Sequence, residues 1–249
     1  MNAEKETPNN RYFTDTGIEV PSVTEAQMRE VDRIAIEETG PNLYQMMENA
    51  GRNLALRAID MLGEKWASTS IVVLAGTGGN GGGGICAARH LANRGADVKL
   101  VVSNVERLGD VPSFQYAIYK NTGNRALKLS ELGDDPPRLI IDAIVGYSLS
   151  SAPHGPVLEM INWANGSGAS VLSLDIPSGI DSTSGQSPGE FINAESTMTL
   201  ALPKTGLLPQ ISGDLFLADI GIPVTVYERL GLNYRPPFGN RYLTALLYK

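Results

Sequence analysis

The chain has 249 residues, 42% of them apolar and 19% charged, a globular balance that excludes a disordered chain and supplies side chains for a full core. Its formal net charge of -7 disfavours a nucleic-acid surface, which needs a basic stripe to displace counterions from phosphates. One cysteine and two histidines far apart in sequence exclude an intrachain disulfide and match no zinc-ligand spacing. The longest apolar runs are strand-sized, well short of the roughly 20 residues that cross a bilayer, so no membrane contact is expected. The first residues lack the basic start and apolar stretch of a secretory signal. Residues 1–20 read as a polar arm before a domain over residues 21–249, and a cytoplasmic protein is the default expectation.

Two helices come first. Thr24 and Gln27 form a capping box, followed by Met28, Val31 and Ala35 at helical spacing. A second helix begins near Asn42, carries Met46, Met47, Ala50, Leu54, Ala58 and Met61 as its apolar stripe, and stops at Gly63. Strands and helices then alternate. Ile71 to Ala75 is a fully apolar run, as in a parallel strand covered on both faces. A glycine-rich loop leads to a helix over about Ile85 to Asn93, and Val98 to Ser103 is a second strand. A helix covers about Ser113 to Asn121, and Leu139 to Ile144 is a third strand. Pro156 opens a helix that runs to Asn165 with Gly166 as its stop. Ser170 to Leu174, Ser196 to Leu202 and Asp214 to Asp219 complete the strands. No repeat or linker divides the chain, so the pattern predicts one doubly wound α/β domain.

Open α/β sheets bind ligands beyond the carboxyl ends of their strands, and polar or glycine-rich residues follow each strand here. Seven of the nine residues from Gly76 to Gly84 are glycine. That composition costs backbone entropy; a bare backbone with a helix N-terminus behind it favours an anion such as a phosphate. The plainer alternative is a tight strand-to-helix turn. Gly76-x-Gly78-x-x-Gly81 satisfies the dinucleotide fingerprint, but the second strand ends in Ser103-Asn104 where that fingerprint expects an acid. No Gly-Lys-Ser/Thr closes the loop, which disfavours nucleotide hydrolysis. Ser148 lies in a Gly-Tyr-Ser-Leu-Ser stretch, but both histidines precede Asp175, so the chain order of a hydrolase triad fails and Ser148 reads as a polar loop residue. Asp175, followed by Ile-Pro-Ser-Gly, suits proton transfer or cation binding, or else it caps its own loop. Asn80, Asp142 and Ser178 offer oxygen ligands suited to a hard or alkali cation, each with a satisfied hydrogen bond as the alternative. Cys86 reads as packing, His90 as a helix-surface or interface residue, and Met46 and Met47 as core. Lys204 reads either as an anion contact or as a surface lysine.

Taken in order, Met47-Glu-Asn-Ala-Gly51, the Gly76–Gly84 run, Asp142-Ala-Ile-Val-Gly-Tyr-Ser, Asp175-Ile-Pro-Ser-Gly-Ile-Asp and Leu202-Pro-Lys resemble the YjeF N-terminal domain family, which includes the NAD(P)H-hydrate epimerases. The likeness runs from about Val23 to Leu230. It implies a three-layer α/β/α Rossmann-like fold with a mostly parallel sheet in a single domain, often a homodimer. It also implies epimerisation of the R and S forms of hydrated NADH and NADPH, a cofactor repair acting on a small-molecule dinucleotide. Carried over residue by residue, a potassium ion would be held by Asn80, Asp142 and Ser178. Substrate would touch Gly79, Asn80, Gly81, Gly82 and Gly83, then Gly146, Tyr147, Ser148, Leu149, Ser150, Ser151 and Ala152, and also Asp175 as the acid/base at the hydrated ring carbon. The chain departs from the family pattern at Gly79 and Gly83, where an asparagine and an aspartate are usual, and at Ser150-Ser151, where a basic residue and a glycine are usual. A second reading is therefore a non-catalytic nucleotide-binding or scaffold module of the same fold. A third, an ordinary NAD-dependent dehydrogenase, is disfavoured by Ser103-Asn104.

Overall fold

The computed structural model describes residues 10–249. Its elements run β1 (Tyr12–Thr14), β2 (Glu19–Val20), α1 (Glu25–Ile34), α2 (Leu43–Leu62), β3 (Ile71–Ala75), α3 (Gly79–Ala92), β4 (Val98–Val102), α4 (Asp110–Lys120), β5 (Ala126–Leu127) and β6 (Leu139–Ala143). They continue with α5 (Gly155–Gly166), β7 (Ser170–Leu174), β8 (Ser196–Leu200), α6 (Pro209–Ser212), β9 (Asp214–Ala218), α7 (Val224–Arg229) and β10 (Leu243–Tyr248). The strands form one sheet in the order β2-β1-β10-β9-β8-β7-β6-β3-β4-β5. From β9 to β5 every pairing is parallel; β10, β1 and β2 add on antiparallel.

The period of two along each parallel strand builds the layers. Ile71, Val73 and Ala75 of β3 pack with Leu54, Ala58, Ile85 and Leu91 of α2 and α3 on one face. Val72 and Leu74 turn to the other face, against Met160, Ile161 and Ala164 of α5. The result is a three-layer α/β/α Rossmann-like fold with a mostly parallel sheet. The chain winds outward from β3 through β4 to β5, then returns to β6 on the other side of β3 and winds the opposite way. Strand order thus reverses between β3 and β6, which opens a crevice at their carboxyl ends.

The capping box on Thr24–Gln27 forms, and a second one, on Asn42–Gln45, opens α2. Within the segment expected to be an arm, β1 pairs with β10, and the Tyr12 ring is fully buried with its hydroxyl donating to Leu207 O at 2.7 Å; residues 1–9 lie outside the described residues. Two helix starts differ from expectation: α4 begins at Asp110 rather than near Ser113, and α3 at Gly79 rather than near Ile85. The glycine run is therefore loop only from Gly76 to Gly78, and helix beyond. Glycine is required there because α3 lies almost on the sheet. A Cβ on Gly81 would stand 2.0 Å from Gly76 O, one on Gly84 2.4 Å from the Ala143 Cβ, and one on Gly82 2.4 Å from the Met47 sulfur. Each interior glycine costs a helix about 1 kcal/mol relative to alanine. The close approach to β3, β6 and α2 offsets that cost.

Alanine at two of these glycines separates the two effects. Gly81→Ala must displace backbone, and overpacking of this kind costs about 1–3 kcal/mol, so its thermal midpoint falls. Gly79 has nothing within 4 Å of its would-be Cβ, so Gly79→Ala unfolds at or above the wild-type temperature.

Candidate active site

A cavity of about 560 Å³ occupies the crevice, lined by α1, α2, the start of α3, the start of α4 and the loops after β6, β7 and β8. Its size is that of a small-molecule site. Much of its wall is apolar, including Met46, Met47, Val111 and Leu174; the two methionines are buried core residues that also face the cavity. The polar groups gather at the strand ends.

Asp175 directly follows β7 and is 2% exposed, with φ at +70°. The left-handed region is tolerated by aspartate better than by most side chains, and here it turns the carboxylate back across the sheet edge. Oδ1 accepts from the Lys204 ammonium and from Leu200 N at 3.3 Å, and Oδ2 accepts from Tyr147 N at 3.2 Å. Lys204 is fully buried, which excludes the surface alternative; the anion that it contacts is the chain's own Asp175 carboxylate. Besides Asp175, its Nζ donates to Leu200 O at 2.9 Å. One buried ion pair thus ties the ends of β7 and β8 to the loop after β6.

Tyr147 joins this group to α1. Its hydroxyl donates to Asp32 Oδ2, and its ring has the Arg29 guanidinium 5.8 Å from its centroid and the Lys204 ammonium also at 5.8 Å. Burial pushes the Asp32 carboxyl above the ordinary carboxylate range, although Tyr147 and Lys204 oppose the shift. Burial, with Asp32 next in weight, also pushes the Tyr147 phenol up. Sequence reasoning missed Arg29 and Asp32. They flank the apolar stripe of α1, and nothing local says that this helix docks at the far strand ends.

Asp142 closes β6 and is wholly buried. It accepts from Ser173 Oγ at 2.8 Å, Ser178 N at 2.9 Å, Ile144 N at 3.2 Å and the Ser178 hydroxyl. Burial nevertheless pushes its pKa upward. Val145 N donates to Ser178 Oγ at 2.8 Å, so the loop after β6 is fastened to this pair. On the loop's other side Asn80 lies against Gly146, whose would-be Cβ is 3.2 Å from Asn80 Oδ1; Asn80 Nδ2 is buried without a hydrogen-bond partner. Among the residues that the sequence singled out, Gly79, Asn80, Gly83, Gly146, Tyr147, Ser148 and Asp175 line the cavity. Gly81 and Gly82 are buried inside α3. Leu149, Ser150, Ser151 and Ala152 run on from the cavity wall toward α5, and Asp142 and Ser178 stand behind it.

A separate cluster lies between α2 and α3. Ligand atoms of Glu48, Cys86 and His90 are all within 4.8 Å of one another, and the chain supplies its own cation, Arg89, which donates to Glu48 Oε2 at 2.5 Å and to Cys86 Sγ at 3.2 Å. Burial raises the Cys86 thiol to about 12, in keeping with a packing role. Burial also pushes Glu48 up, but hydrogen bonds from Arg89 and His90 outweigh it and hold the carboxyl at about 2.

A doubly wound α/β protein with a ligand-sized crevice at its switch point, and a buried carboxylate at the crevice floor, is the class that fold and site define. Within that class the chain belongs to the family described as YjeF-related protein N-terminus, whose model matches residues 43–206. It is 47% identical over 237 residues to an NAD(P)H-hydrate epimerase of Dehalogenimonas lykanthroporepellens, a match covering 95% of this chain and 97% of that one. An NAD(P)H-hydrate epimerase of Truepera radiovictrix is 35% identical, with 83% of this chain and 93% of that one covered. A bifunctional NAD(P)H-hydrate repair enzyme Nnr of Salinibacter ruber is 34% identical over 84% of this chain but only 42% of its own length. The crystal structure of yeast ynu0 shares the fold, with a TM-score of 0.78 at 21% identity, covering 90% of this chain and 99% of that one.

Two measurements check the electrostatics. Lys204→Met leaves a buried carboxylate unpaired, a loss of about 3–5 kcal/mol read from chemical unfolding, and adding Asp175→Asn restores most of it. An unchanged midpoint in the single variant would show that the pair does not form. For Glu48, the folded pKa lies below the ordinary 4.5 of a free glutamate. Its contribution is therefore present above about pH 4.5 and lost as pH falls toward about 2. Glu48→Gln flattens the acid limb of stability against pH across that window.

Proposed function

We infer that this chain is an NAD(P)H-hydrate epimerase, an isomerase that interconverts the R and S forms of hydrated NADH and NADPH. The observation that carries this reading is the Asp175 carboxylate, oriented by Lys204 and by the Tyr147 N–H at the wall of a crevice of small-molecule size. The names of the near-full-length relatives agree with it.

The chemistry needs proton transfer and no net redox change. In the hydrate a ring carbon beside the ring nitrogen carries a hydroxyl. Given a proton, that hydroxyl departs as water while the nitrogen lone pair forms a C=N bond; water then adds from the other face and gives up a proton. Asp175 supplies or receives the proton at that carbon. The first N–H groups of α3 have no partners within the helix, and together with the helix dipole they favour a phosphate of the dinucleotide. Gly79, Asn80 and Gly83 on this side, and Gly146, Tyr147 and Ser148 opposite, form the substrate walls, with Gly81, Gly82 and the Leu149–Ala152 segment supporting them.

Potassium belongs to the same reading. Asn80, Asp142 and Ser178 form a set of hard oxygen donors, and the unpartnered Asn80 amide is the fit expected of a group that awaits a ligand; reversing the amide presents Oδ1 instead of Nδ2. Bound there, the ion supplies fixed positive charge that steadies the loop after β6. The reading extends to a cytoplasmic homodimer. The exposed Leu43, Tyr44 and Phe114, the last two in edge contact at 5.2 Å near the cavity mouth, support a contact with a second copy. No helix among the described residues is long and apolar enough to cross a membrane.

The test supplies both hydrate epimers together with an S-specific dehydratase and follows the R form. This protein accelerates loss of R; decay that stays at the uncatalysed rate overturns the reading. Asp175→Asn lowers the rate by about 10²–10⁴-fold, the usual share of a positioned acid/base. In thermal unfolding potassium raises the midpoint more than sodium does, and equal responses would remove the ion from the site.

A further inference from the structure

Inversion by loss and return of water requires proton transfer on both faces of the reacting carbon, and one carboxylate reaches one face. The cavity wall holds a second one. Asp32 projects from α1 into the same cavity as Asp175, and a single residue joins the two: Tyr147 donates its backbone N–H to Asp175 and its hydroxyl to Asp32. The carboxylates therefore stand about one tyrosine side chain apart. Arg29 above the ring and Lys204 beyond it hold that side chain in place.

We propose that the Tyr147 hydroxyl, backed by Asp32, is the second proton-transfer group of the site and works on the face of the substrate ring away from Asp175. This rests on the epimerase reading. In this step the Tyr147 hydroxyl, which donates to Asp32 in the resting site, turns to the substrate: the proton stored on Asp32 passes to the Tyr147 oxygen as the tyrosine's own proton moves to the departing hydroxyl. The C–O bond breaks, water leaves with the bonding pair, and the nitrogen lone pair makes the C=N bond. Water then attacks from the Asp175 face. Its proton goes to Asp175, the new C–O bond forms, and the C=N pair returns to nitrogen. Asp32 ends ionised and Asp175 protonated, which is the form that converts the opposite epimer back; solvent exchange also resets it. Burial pushes Asp32 toward the protonated state and keeps Tyr147 from ionising, in line with a store and a relay. The charged and titratable groups that face Asp32 are Arg29 on its own helix, Tyr147, Asp175 and Lys204 from the strand ends, and Tyr227 from α7.

The test measures epimerisation by wild type, Tyr147→Phe, Asp32→Asn and Asp32→Glu across pH. Tyr147→Phe and Asp32→Asn each lose about 10²-fold or more in kcat with KM little changed. Each also loses one limb of the pH profile, while Asp32→Glu regains part of the rate. Unchanged kcat in both variants, or a rise in KM with the wild-type pH profile intact, overturns the proposal. Should Asp32→Asn fail to fold in thermal unfolding, Tyr147→Phe, which keeps the ring, decides. A wild-type protein without activity instead refutes the epimerase reading itself.

Discussion

A lysine ammonium with no exposed surface stays charged only beside a partner that repays its lost hydration. For Lys204 that partner is Asp175, and the pair governs the geometry of the crevice. Lys204 leaves the segment after β8, Asp175 turns out of β7 through a left-handed residue, and Tyr147 arrives from the loop after β6 to donate its N–H to the same carboxylate. Three strand ends are thus set by one charge. The neighbouring Asp142 fastens β6, β7 and the turn at Ser178 in the same manner, with a buried carboxylate as the common acceptor. The sheet edge is held by acceptors that have been taken out of water, and this is the condition under which a carboxylate is useful for proton transfer.

The helix that faces these carboxylates reaches them because it lacks side chains. Gly81 and Gly84 let α3 settle onto the ends of β3 and β6, while Gly51 of α2 and Cys86 of α3 meet at a separation that leaves no room for a Cβ on the glycine. The approach aims the N-terminus of α3 at the crevice and brings Asn80 against Gly146. The glycines thus serve packing first and ligand access second: only Gly78, Gly79 and Gly83 of the run line the cavity.

The apolar run from Ile71 to Ala75 and the acids closing the third and fourth strands made the parallel sheet and its polar edge readable from sequence, because burial on both faces and a carboxyl at a strand end leave local marks. The extent of α3 was not readable. Seven glycines have the composition of a loop, and only the nearness of Ala143, Met47 and Leu174 makes them helical. The sequence left Lys204 open between an anion contact and the surface for a related reason: its burial depends on a partner 29 residues away, which no local pattern records. Asp32 lies further off still, 115 residues from the tyrosine that it meets. Strands β1 and β10 escaped notice because three residues among polar neighbours carry almost no period, and β10 has its partners at both ends of the chain.

The two departures in the glycine run differ in physical character. A side chain at position 79 would enter open space in the cavity, since nothing lies within 4 Å of its would-be Cβ. Glycine there enlarges the binding space and removes a possible polar contact while leaving the scaffold untouched. At position 83 a Cβ would stand 2.8 Å from the Leu174 Cδ2, and Leu174 is itself buried in the face that α3 covers. A carboxylate could be housed at 83 only with a smaller or displaced neighbour at 174, so in this chain Gly83 and Leu174 form one packing unit. Where the resemblance leads to the expectation of an acid, this chain has apolar contact instead.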